Sequence, residues 1–210
     1  VYYGTHIIHW LHSVNEVAEL YKKAKKSALI EGRSQMACNA DLFMLDARVF
    51  NADNIISYVK DVNLAIESAK KASYQKGVKI LEGVYKQAGK CLLGKTMAPN
   101  SFDDGVFREA DYIKENESDE KILAYFYSYK LLTLCIHGYF SEAYEVIKKL
   151  DLYESQFGGS ILIATNNFLS SFTMLQLCDQ QPENQEKYLE IVAENQNVMK
   201  LWVEGCRENY

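Results

Sequence analysis

Gly138-Tyr139-Phe140-Ser141-Glu142-Ala143 decides the fold. A glycine ends one helix, an aromatic residue fills the bend, Ser141 is placed to cap the next helix, and Ala143 lets the two helices approach. That is the form of the turn inside a tetratricopeptide-like hairpin. To either side, residues 119–137 are apolar on almost every face (Ile122, Leu123, Tyr125, Phe126, Leu131, Leu132, Leu134, Ile136), which marks a buried central helix. Ser141 to Gln156 answers it, and Gly158-Gly159 breaks the pattern. Ser160 to Cys178 then reads as a second buried helix, with Ser160 at its start. After Pro182 a last helix sets Tyr188, Ile191, Val192, Asn195, Met199 and Trp202 at steps of three or four, and Gly205 is its stop.

Toward the N-terminus the same reading gives a helix over residues 2–12, then one capped by Ser13 running to Gly32, another from 34 to 50, one capped by Asn54, and one from about 75 to 93. Gly94 to Gly105 is the one long connection, followed by a short helix to about Lys114. The expected class is all-α: an irregular tetratricopeptide-like stack of antiparallel hairpins, an α-solenoid with no sheet. A single domain over 1–210 is expected, its sub-blocks of about 1–93 and 106–210 joined by the loop at 94–105. The start at Val1 and the end at Tyr210 have the look of cuts from a longer polypeptide.

Composition narrows function by exclusion. A net charge of −5 neither funnels nucleic acid nor favours an anionic membrane. No apolar run approaches the ~20 residues of a membrane span. Five widely spaced cysteines without a C-x-x-C pair fit a reducing, cytoplasmic setting.

One stretch imitates chemistry. Gly89-Lys90-Cys91-Leu92-Leu93-Gly94-Lys95-Thr96 fits the phosphate-loop pattern letter for letter, naming Gly89, Gly94, Lys95 and Thr96 as nucleotide-binding candidates. Such a loop needs a preceding buried strand and a following helix, so that backbone N–H groups meet the phosphates. Here the preceding residues have helical period and Pro99 follows closely, so the match reads as a helix C-terminus stopped by Gly94. His6, His9 and His12 recur every third residue but lack a carboxylate or thiolate to complete a metal site. No catalytic residue, metal or cofactor is expected.

Leu134 to Phe140, Asp151-Leu152-Tyr153, Asn167 to Phe172, and Asn195-Gln196 with Met199-Lys200 and Trp202, closing on Cys206 to Tyr210, resemble one known region. It is the tetratricopeptide-like helical region of very large signalling proteins, and His9-Trp10 and Phe102-Asp103-Asp104 also fit it. In those proteins the region follows an AAA-type ATPase domain, often behind a serine/threonine-kinase-like domain, and precedes sensor modules and a histidine kinase or a nucleotide cyclase. The resemblance implies a two-component signal-transduction setting and a non-catalytic scaffold making interdomain or protein–protein contacts. Its partners would be other domains of the same polypeptide or peptides in a helical groove. Arg207 stands where relatives often carry Pro. A self-contained peptide-binding adaptor and a nucleotide-binding enzyme domain using Gly89–Thr96 are the alternatives.

The structural roles expected are Gly138, Phe140 and Ala143 for the hairpin, and Asn195, Met199 and Trp202 for docking of the last helix. Asn195 is expected to bond a neighbouring backbone, because an unpaired buried amide costs ~1–3 kcal/mol. Trp202 is expected to be buried, so that its truncation would cost ~3–5 kcal/mol.

Overall fold

The computed structural model describes residues 8–50, 54–207 and 209. Among them there is no strand, and after a short 3-10 turn at Ile8–Trp10 come nine helices. They are α1 (Val14–Ile30), α2 (Ser34–Phe50), α3 (Ile55–Lys71), α4 (Gln75–Ile80, Leu81–Tyr85 and Lys86–Leu92 in one rod, wound as a π-helix in its middle part) and α5 (Glu109–Glu115). The rest are α6 (Glu120–His137), α7 (Phe140–Leu150), α8 (Ile161–Gln180) and α9 (Gln185–Gly205).

The polar punctuation of the sequence starts and stops most of these elements. Ser13 Oγ accepts from the N–H of Glu16, and Asn54 Oδ1 accepts from the N–H groups of Ile56 and Ser57, so α1 and α3 are capped as read. At Gly138 the backbone turns left-handed (φ 78°). The N–H of Tyr139 donates to the carbonyl of Leu134 at 2.9 Å and that of Gly138 to Cys135 at 3.2 Å, which closes α6 in a Schellman motif. Ser73 closes α3 in the same way without being glycine (φ 52°).

Some boundaries differ from the sequence reading. Ser141 is exposed within the first turn of α7 and does not cap it; the cap position is Tyr139, whose side chain makes no capping bond. α7 ends at Leu150 and continues as a 3-10 turn over Asp151–Gln156. Ser160 occupies the N-cap of α8 but contributes no side-chain bond. Gly205 is the last residue of α9, and the cap position beyond it is Cys206, in an extended conformation. The helix read over residues 2–12 falls mostly outside the described residues, and its described part is the 3-10 turn.

Packing runs hairpin by hairpin: α1 on α2, α3 on α4, α6 on α7 and α8 on α9, with α4 against α6 and α6 against α8. α6 is the axis, buried without interruption from Ile122 to Leu131. Its Lys130 reaches the long connection, donating from Nζ to the carbonyl of Asn100 at 2.7 Å, pairing with Glu109, and lying 4.8 Å from the centre of the Phe102 ring. A loop that looked open in sequence is pinned by a buried cation.

Two contacts depart from a stack in which each repeat touches only its neighbours. α8 packs back onto α2. The N-terminal turn also meets the last helix: Trp10 lies 5.1 Å from Trp202 between ring centres and donates from Nε1 to the Gly159 carbonyl. Asn209 ties the two ends together, accepting from the N–H of Val14 and donating to the carbonyls of His9 and His12.

Candidate functional site

The phosphate-loop look-alike is a helix end. Gly89 and Cys91 are buried in the last turns of α4. The N–H of Leu93 goes to Gly89, that of Gly94 to Cys91 and that of Lys95 to Lys90, while Gly94 takes a left-handed φ of 67°. Those donors satisfy the helix's own last carbonyls, so they do not converge on an anion. Lys90 is tied to Asp104, Cys91 Sγ donates to the Pro99 carbonyl, and the Thr96 hydroxyl donates to Ala98. The element that leads into the segment is helix α4, not a strand.

His6 lies outside the described residues, His9 is buried, and His12 is exposed with Nδ1 2.9 Å from Glu16 Oε2. Among the described residues no group of three or more metal-ligating side chains is assembled.

The buried polar centre of the fold is one the sequence reading missed. Asp46 of α2 is 3 % exposed, and its Oδ1 accepts from Tyr85 Oη of α4 at 2.6 Å and Tyr129 Oη of α6 at 2.8 Å. Burial pushes the Asp46 carboxyl up to about 7, and the two hydroxyls only partly oppose that rise. Tyr58 and Tyr125, both fully buried, complete the aromatic surround, and burial followed by the Asp46 charge drives the Tyr125 hydroxyl well above its ordinary range. The Asp46 carboxyl locks three helices together. Its signal in the sequence is an acidic residue inside the apolar run Leu42–Ala47.

The accessible feature is the outer face of the α8–α9 hairpin. α8 has 20 residues and a mean hydropathy of 1.2, enough in length and composition for a membrane span, contrary to the sequence expectation that no segment qualifies. Within the fold it lies among α2, α6, α7 and α9, and only 44 % of its apolar stretch is buried. Phe168 (57 % exposed), Phe172 (36 %) and Leu175 (43 %) form the uncovered stripe, at the four- and three-residue steps of one helix face. α8 is therefore not the fully buried helix the sequence suggested. Phe172 packs edge-on against Phe140 and Phe168 stacks parallel to Phe172, so the stripe is braced from the α6–α7 hairpin. Beside it, Met199 and Val203 of α9 complete a groove of about 680 Å³ whose rim carries Gln196, Lys200 and Glu204.

The residues expected to matter divide around this groove. Ala143 is fully buried and Gly138 turns the chain, while Phe140 supports the stripe. Asn195 bonds side chains and not backbone: its Oδ1 accepts from Asn167 Nδ2 at 3.1 Å and its Nδ2 donates to Ser171 Oγ at 3.0 Å, pinning α9 to α8. Met199 lines the groove. Trp202 is only partly buried, packed on Trp10 near the end of α9.

In comparisons with known proteins the chain matches no family, and no curated protein or solved structure matches it. The described architecture, an all-α multi-helix fold, agrees with the fold class that the resemblance implied, without lending it a family.

Proposed function

We propose that this chain is a non-catalytic helical-repeat scaffold that works by protein–protein or interdomain contact, with the α8–α9 face as its docking groove. One observation carries the reading. The outer face of the α8–α9 hairpin is not polar: it carries the part-exposed apolar stripe of Phe168, Phe172 and Leu175. A contiguous apolar patch rimmed by polar residues marks an interaction surface. A groove between two helices, lined at helical spacing, suits an amphipathic helix laid into it. In a signal-transduction protein of the kind the sequence resembles, such a module would sit in the cytoplasm between an ATPase domain and a kinase output, each free to contact this surface.

The test is selection from a displayed library of amphipathic helices on the immobilised chain. Enriched sequences should lose about tenfold or more in affinity on Phe168→Asp, the scale of one aromatic hot spot. They should be indifferent to Leu64→Asp, at an exposed apolar position remote from the groove on α3. Binders that ignore Phe168→Asp would sink the proposal.

A further inference from the structure

We infer that the groove is self-complementary, and that its occupant is the same face of a second copy of this chain. This deepens the docking reading above and rests on it. Among the residues lining the groove only Lys200 and Glu204 are charged, one of each sign. A strongly basic or strongly acidic partner would therefore meet a like charge at the rim. The order along α9 is Met199-Lys200 and then, one turn on, Val203-Glu204. Two copies of α9 laid antiparallel about a twofold axis exchange positions, so that residue i meets j and j meets i. One placement, centred between Lys200 and Glu204, sets Lys200 of each copy against Glu204 of the other. A parallel alignment would instead oppose like with like.

The neighbouring stripe supplies the anchors. Phe168 and Phe172, 6.4 Å apart between ring centres and nearly parallel, present rigid aromatic surface of the kind that dominates interface energy. Helices of 20 and 21 residues run about 30 Å, and with about 10 Å between axes they offer a face of roughly 600 Å². A standard interface takes ~800 Å² per partner. The geometry thus points to a reversible dimer and not a permanent one.

Sedimentation velocity of the whole chain, from low micromolar to submillimolar concentration, reads this directly. The wild-type chain should pass from monomer to dimer across that range. K200E and E204K should each raise the dissociation constant about tenfold or more, since symmetry turns one substitution into two repulsive contacts. The double variant K200E/E204K should regain most of the wild-type association, because the reversed charges meet again. A chain that stays monomeric throughout overturns the inference, as does a dimer indifferent to both single variants or one the double variant fails to restore. If the chain is monomeric but selected helices still bind and are lost on Phe168→Asp, the groove docks a foreign helix: the docking reading stands and self-association falls. If neither occurs, both fall.

Discussion

α6 and α8 are both long and largely apolar, yet one is buried without interruption from Ile122 to Leu131 and the other is half open. α6 has α4 on one flank, α7 and α8 on the other, and the pinned connection across its middle. α8 has α6, α7, α9 and a corner of α2, but among the described residues Phe168, Phe172 and Leu175 stay part-exposed. Hydropathy records what a helix can bury; how much it buries depends on how many elements the chain lays around it. A greasy helix with a missing neighbour is the physical basis for reading the α8–α9 face as a place of contact.

Four experiments break or sharpen this contrast. The largest effect belongs to the sealed helix. Lys130→Ala should lose ~3–5 kcal/mol in urea denaturation, since removing one member of a buried ion pair strands the other, here Glu109. A loss below about 1 kcal/mol would mean that Lys130 does not hold the connection. Next comes Asp46, bound by Tyr129 of α6. Its carboxyl keeps its proton to about pH 7 in the fold, against an ordinary 3.8. Both states hold the proton at low pH; as pH rises only the unfolded chain releases it, so the contribution of this group to stability falls between pH 4 and 7 and is level above. The drop could reach about 4 kcal/mol, and Asp46→Asn should flatten that part of the profile. A wild-type profile already flat between pH 4 and 7 would contradict the buried, protonated carboxyl.

Third, two leucines of α8 test its two faces. Leu177→Ala, at a fully buried site, should cost ~2–5 kcal/mol, and Leu175→Ala on the open face no more than about 0.5 kcal/mol. Equal costs would show that the stripe is covered. The smallest effect is expected at Trp202, where partial burial against Trp10 lowers the expectation for Trp202→Ala to roughly 1–2 kcal/mol. A loss of 3 kcal/mol or more in thermal unfolding would restore the buried placement read from its stripe.

How much was legible follows from what each signal encodes. Ser13, Asn54, Gly94 and Gly138 act within a few residues of themselves, so their caps and stops could be read directly. Ser73 could not, because a left-handed serine looks like any other polar residue at a helix end. Ser141 misled because Tyr139 carries the bend without a side-chain bond. The π-wound part of α4 covers only Leu81–Tyr85 inside a longer rod, and no residue type marks it in the sequence. Asp46 and the α8 stripe depend on residues far along the chain: Tyr129 is 83 positions away, and the open face is defined by what is not packed there. The groove was therefore legible only as two helices with apolar stripes, and which stripe stays outside is a property of the assembled fold.

Asn209 has one further consequence. By bonding the carbonyls of His9 and His12 at 2.6 and 2.8 Å it brings the two ends of the described chain side by side. The order in which the helices are strung is then separable from the shape they make. A circular permutant joined across that junction and opened at Gly105-Val106, where Val106 is 95 % exposed, should reach the same core with its hairpins in a new sequence. Mechanically, tension applied through the two ends would load the Asn209 clasp and the Trp10–Trp202 pair before it reached α6. This architecture would give way first at its seam, with its axis still intact.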